Sequence, residues 1–136
     1  MMKKTILFLL FFIVLLFTCA CDSEKVQVFY NKHPFSTETI VNNSNVFKPN
    51  ERIYYLVTLP KKIYTQRLYI KIMKMGANER LGYETVWARQ VKMRDEMVHY
   101  YTDYIVFRET GAYLMQVYSK DNPTKLLANS LFYIRD

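Results

Sequence analysis

Cysteine is almost missing from this 136-residue chain, and both copies, Cys19 and Cys21, fall within the first 21 residues. Nothing downstream can form an internal disulfide, so any domain there must be held by its core. Glycine is nearly as scarce, at three residues, which excludes collagen-like and propeller repeats and a glycine-rich phosphate loop. No run of five or six like charges occurs, so a tail dedicated to nucleic acid is not expected. After the first 22 residues no segment sustains an apolar i, i+3, i+4 pattern, which disfavours an α/β fold.

The chemistry of catalysis is thinly supplied as well. Neither G-x-S-x-G nor H-E-x-x-H is present. A nucleophile needs a base within hydrogen-bond reach, and the two histidines are poorly placed for that. His33 abuts Pro34 in a loop, and His99 follows Met97-Val98 at a strand start. Asp95-Glu96 is the sole adjacent carboxylate pair, with Asp103 and Glu109 isolated, and their spacing gives no reason to converge as a glycosidase pair does. Met73, Met75, Met93, Met97, Met115 and His99 are the raw material for a soft Cu(I) site, but methionine is a common core filler. The expectation is a non-enzyme with no catalytic residue, metal or dissociable cofactor.

What is present begins with Met1 to Asp22. Lys3 and Lys4 precede twelve unbroken apolar residues, Ile6 to Phe17, and small residues and the cysteines follow. A positive head, a short apolar body and a small-residue exit read as a secretory signal peptide. A spanning helix needs roughly 20 apolar residues to cross about 30 Å of hydrocarbon, so this run is short for one.

The exit Thr18-Cys19-Ala20-Cys21 resembles the lipobox of bacterial lipoproteins, Leu-(Ala/Ser/Thr)-(Gly/Ala)-Cys. Ala20 and Cys21 fit its last two places, whereas Thr18 and Cys19 depart from the usual Leu and small residue. Reading Cys19 as the modified residue puts Phe17 where something small is usual, so Cys21 is the preferred site. The resemblance implies a diacylglyceryl group on the sulfur of Cys21, cleavage just before it, and an N-acyl chain on the new terminus. It implies localisation to the cell membrane or outer membrane, with Asp22 resembling the inner-membrane retention signal of enteric bacteria. The expected organisation is a 1–20 leader, a 21–25 tether and a single domain over 26–136.

Removing the two leader lysines leaves 17 basic against 12 acidic residues, a net +5. That suits anionic head groups, acidic glycans or an acidic partner, or simply a solvated surface. Aromatic residues are plentiful, with 12 Tyr, all after Cys21, and 9 Phe. Period-two alternation predicts strands at 25–30, 51–59, 67–75, 83–94, 100–107, 112–118 and 126–134, plus a short one near Thr39 to Val41. The 83–94 strand is expected to be bent or bulged, with a short helical turn at Met93 to Met97 as an alternative end. Asn42 to Asn45, Pro49-Asn50, Arg108 to Gly111 and Lys120 to Pro123 supply turns. Seven to eight short strands at such spacing predict an all-β antiparallel sandwich.

Phe107-Arg108-Glu109-Thr110-Gly111-Ala112-Tyr113, running on to Asp121-Asn122, resembles the penultimate hairpin of immunoglobulin-like and polycystic-kidney-type domains. The resemblance implies a positive-φ turn at Gly111 and entry of Tyr113 into the core. It supports an immunoglobulin-like β-sandwich and says nothing of function.

Tyrosines exceed what one sheet face can bury. Tyr54, Tyr69, Trp87, Tyr101, Tyr104 and Tyr118 are the candidate binding surface, near Lys71, Arg89 and Arg108. Tyr and Arg are favoured interface anchors, while a second packing layer with hydroxyls reaching water explains the same residues without a partner. The expected function is a membrane-anchored, non-catalytic protein-binding or assembly module of the cell envelope. The alternative is a surface adhesin or glycan-binding lipoprotein, and the third reading is a hydrolase. Partner binding predicts an exposed Tyr patch without a cleft, glycan binding predicts coplanar rings in a groove, and an enzyme predicts a polar pocket.

Overall fold

The structure is a computed structural model that describes residues 25–60, 65–76, 82–97, 99–121 and 124–136. The leader, Cys21 and the first four tether residues lie outside the described residues. Eight strands are described: β1 (Gln27–Asn31), β2 (Val46–Phe47), β3 (Arg52–Thr58), β4 (Arg67–Met75), β5 (Tyr83–Lys92), β6 (Tyr100–Val106), β7 (Gly111–Ser119) and β8 (Lys125–Ile134).

They form two sheets, ordered β1–β3–β6 and β2–β8–β7–β4–β5. All neighbours are antiparallel except β2, which runs parallel to β8. Strands one, three and six against a sheet in which four, seven and eight are neighbours is the immunoglobulin-like plan. The all-β sandwich expected from alternation is therefore what the chain adopts.

Alternation explains the core. Ile53, Tyr55 and Val57 of β3 face Leu68, Ile70 and Ile72 of β4, Tyr113, Met115 and Val117 of β7, and Phe132 and Ile134 of β8, all essentially inaccessible. Burying each such side chain is worth roughly 1.5–3 kcal/mol, which is how a domain without disulfides is stabilised. The rings of Phe107 and Tyr113 stack at 4.9 Å, and those of Tyr113 and Phe132 at 5.2 Å.

The hairpin behaves as its resemblance implied. Gly111 takes φ +151°, a backbone conformation that residues with a Cβ rarely adopt, so glycine is favoured there. Tyr113 is buried and its hydroxyl donates to the Glu109 carbonyl at 2.7 Å. A tyrosine near the start of this strand bonding back to the upstream backbone is the tyrosine corner of immunoglobulin-like sandwiches.

Two local expectations are corrected. Residues 37–41 form a turn rather than a strand. Ser36 and Thr39 exchange side-chain-to-backbone hydrogen bonds, and the Ile40 amide donates to the Ser36 carbonyl at 3.0 Å. Such local bonds compete with a ladder and win here over β-branched propensity. The unforeseen strand is β2, whose two residues carry too little pattern to be seen. The expected irregularity in β5 is a register shift opposite Ile72/Met73, and a 3-10 turn covers Asp95–Met97.

The register also defines two poles. Gln27, Thr58 and Tyr100 lie level in one sheet, and Lys92, Arg67 and Ser119 lie near-level in the other. Met93 and Leu59 tie the two links between the sheets at this same end, donating to the Gln66 and His99 carbonyls. The chain thus enters the fold at this pole, and β8 leaves at the opposite one.

Candidate functional site

The outer face of the three-stranded sheet carries the first tyrosine cluster. Tyr54 of β3 sits directly opposite Tyr104 of β6, with ring centroids 5.7 Å apart at 49°. The Arg52 guanidinium lies 4.8 Å from the Tyr104 ring centroid, a cation–π contact. Phe29 and Leu56 pair on the same face, so the surface is apolar as well as aromatic. Tyr100, Tyr104 and Val106 are each about 45% exposed, and Tyr54 is half-buried. Strand alternation in β6 drives this: its outward positions are Tyr100, Thr102, Tyr104 and Val106.

A second cluster lies on the outer face of the five-stranded sheet. Tyr69 of β4 opposes Tyr118 of β7, with centroids 6.1 Å apart at 50°. Each ring is capped by an ammonium group: Lys120 Nζ lies 4.9 Å from Tyr69 and Lys71 Nζ 5.6 Å from Tyr118. The Tyr118 hydroxyl donates to Gln116 Oε1 at 2.9 Å, and Gln116 Nε2 donates to Asn129 Oδ1 at 3.1 Å. The rings are thus fixed at a tilt and covered by cations.

Three residues expected at the surface lie elsewhere. Tyr101 is buried, 7% exposed, because it shares the inward face of β6 with Ile105. Trp87 points inward from β5 and is half-buried against the core. Arg89, on the same inward side of β5, reaches Asp103 of β6 at 2.5 Å instead of flanking the tyrosines. β5 and β6 are each one of the two edge strands of their sheets, and this pair bridges them.

The bridge has a buried extension. Tyr101 donates to the same Asp103 oxygen at 3.2 Å, and its ring lies 6.1 Å from that of Tyr55. The Tyr55 hydroxyl is buried with no hydrogen-bond partner among the described residues. Burial first, then the nearby Tyr101 and Asp103, hold the Tyr55 hydroxyl far above its ordinary pKa. Burial and Asp103 also raise Tyr101. Tyr101 thus sits between the Tyr55 ring and an Asp103 side chain that is paired with Arg89.

A shallow cavity of about 340 Å³ opens at the far end of this seam, lined by Lys74, Val86, Val106, Arg108 and Glu109 among others. Lys74 and Glu109 pair at 2.5 Å. That contact raises the Lys74 pKa and holds Glu109 below the usual carboxylate range. Neither histidine lines it. His33 and His99 are exposed, and Glu96 is engaged by Arg94 at 3.5 Å. Among the described side chains, Met93 and Met115 are core, while Met73 and Met75 face outward from β4. Among the described residues no group of three His, Cys, Asp or Glu could hold a metal ion.

No protein-family model matches the sequence, and no curated protein matches it significantly. A solved structure does resemble the fold. The soluble domain of PmoD from Methylocystis sp. ATCC 49242 (Rockwell) superposes with a TM-score of 0.50 at 10% identity. The match covers 81% of this chain and 90% of that one. At that identity the likeness is one of fold.

Four of the six candidate residues therefore fall into two outward pairs, Tyr54–Tyr104 and Tyr69–Tyr118. Sequence reasoning missed Arg52 as the cation over Tyr104, although its place two residues before Tyr54, on the same strand face, was a usable signal. It also missed the Arg89–Asp103 bridge, which has no local signature because its partners are joined only by the sandwich.

Proposed function

We propose that this is a lipid-anchored lipoprotein of the bacterial cell envelope whose sandwich binds a protein partner without performing chemistry. The 1–20 leader directs export, and Cys21 carries the diacylglyceryl and N-acyl chains. Two or three acyl chains hold a domain at a membrane where one binds only marginally.

The observation that carries the binding role is the Tyr54–Tyr104–Arg52 face. It combines tyrosine and arginine anchors with exposed Tyr100 and Val106 on a rigid sheet. Sugar stacking is less well served, because both tyrosine pairs are tilted by about half a right angle and the Tyr69 and Tyr118 rings are capped by lysines.

The test is crosslinking capture from intact cells, comparing the wild-type chain with Tyr54→Ala and Tyr104→Ala. Capture of one stoichiometric envelope protein is expected, weakened by each substitution by about 2 kcal/mol or roughly 30-fold if these are hot spots. Retention of polysaccharide in place of a protein would favour the glycan alternative. Undiminished capture by both variants would remove this face from the reading. Cys21→Ala is expected to release the protein from the membrane fraction.

A further inference from the structure

The second tyrosine cluster is left unused by partner binding, and its surroundings are one-signed. Toward the pole where the chain enters, the outward positions of the five-stranded sheet are Arg67, Tyr69 and Lys71 on β4, and Gln90 and Lys92 on β5. Tyr118 and then Lys120 continue the row on β7 and its end. No carboxylate occupies an outward position in this half of the sheet. Arg67 and Lys92 stand directly opposite one another, a like-charge pairing that destabilises a sheet. None of Arg67, Lys71, Lys92 and Lys120 forms an ion pair among the described residues. Asp95, Glu96 and Asp121 lie in the connections at this pole, where Glu96 is held by Arg94 and Asp121 accepts the Gln66 amide.

Geometry says what can cover this surface. Four backbone steps separate Cys21 from Lys25, where the described fold begins. Fully extended they reach about 14 Å. A lipid on Cys21 therefore keeps this pole within one or two Debye lengths of the head groups. Lysine, arginine and tyrosine on a rigid surface are the residues that settle at a membrane–water interface.

We propose that the Arg67–Lys71–Lys92–Lys120 surface docks on the anionic head groups of the bilayer that holds the lipid. This fixes the orientation of the domain and leaves the Tyr54–Tyr104 face available to a partner. The inference rests on the lipoprotein reading above, and it specifies which surface of the domain meets the membrane. Each lysine or arginine near an anionic surface contributes about fivefold in binding.

The test uses the protein purified from membranes after expression of the full-length chain. Its intact mass reports the acyl groups, and it is reconstituted into phosphatidylcholine vesicles with or without phosphatidylglycerol. Lysine acylation by a water-soluble amine reagent is then read residue by residue by mass spectrometry. Lys71, Lys92 and Lys120 are expected to be severalfold less reactive in the phosphatidylglycerol vesicles, with Lys32 and Lys48 at the far pole unchanged. High salt should erase the difference. Each single substitution, Lys71→Gln, Lys92→Gln or Lys120→Gln, should weaken the protection of the other two lysines.

An acylated protein with equal reactivity in both vesicles overturns this proposal and leaves the lipoprotein reading intact. Protection by soluble poly-L-glutamate but not by phosphatidylglycerol also overturns it, assigning the surface to an acidic protein segment. A mass without acyl groups overturns both readings together.

Discussion

Two tyrosine hydroxyls on facing sheets, Tyr55 of β3 and Tyr113 of β7, show how differently the same group can act. The Tyr113 hydroxyl completes a hydrogen bond to the Glu109 carbonyl, whereas that of Tyr55 is buried without one. Tyr113→Phe should cost about 1 kcal/mol, the usual net worth of such a bond. Tyr55→Phe should be neutral or stabilising, because it removes a polar atom already stripped of water. Urea denaturation of the two variants separates these outcomes. The tyrosines also set the alkaline limit of the fold. Burial raises the pKa of Tyr30, Tyr55, Tyr101 and Tyr113. Their folded values exceed the unfolded value near 10, so the stability they contribute is complete below pH 10 and falls as pH rises through the folded values. Absorbance titration should show Tyr30, Tyr55, Tyr101 and Tyr113 ionising only together with unfolding. Ionisation of these four at the ordinary tyrosine pKa, with the fold retained, would contradict this.

At the scale of strands, the vulnerable parts are β5 and β6, whose free edges lie on the same side of the sandwich. Proteins blunt such edges with inward-pointing charges and bulges. Here Arg89 and Asp103 are inward charges on the two edges, paired with each other, and β5 has its register shift as well. Asp103→Leu would give β6 an unbroken apolar inward row from Tyr101 to Ile105 and strand Arg89. Concentration-dependent self-association is the expected result, read by light scattering, with the β-rich circular dichroism spectrum retained. These strands were largely legible beforehand. β4 occupies the predicted 67–75, and β3 and β6 lie within a residue or so of the predicted bounds, because alternation over seven or more residues is a strong signal. β2 has two residues and is held by its neighbour β8, so no local pattern could announce it. Which face a tyrosine took was harder to read. Tyr101 follows Tyr100 and is chemically identical to it, and only the phase of Ile105 decides which of them goes inside.

Considered whole, the molecule is an unstapled domain in which packing does the work usually given to disulfides in small exported folds. A reducing agent should leave its thermal midpoint unchanged, since no cysteine follows Cys21. A drop of several degrees on reduction, measured by calorimetry, would point to an intermolecular bridge through Cys19 or Cys21. The candidate site was legible as a composition, tyrosine with lysine and arginine, but not as two separate surfaces. That division depends on which sheet each strand joins, a long-range fact that a single chain's alternation does not encode. The position of β8 has one more consequence. It is wedged between β7 and β2 and carries Phe132 and Ile134 into the centre of the core, yet it emerges from the ribosome after all seven other strands. Until β8 is made, the strands already synthesised lack two side chains from the centre of their core, and the edge of β7 that β8 will cover stands unpaired.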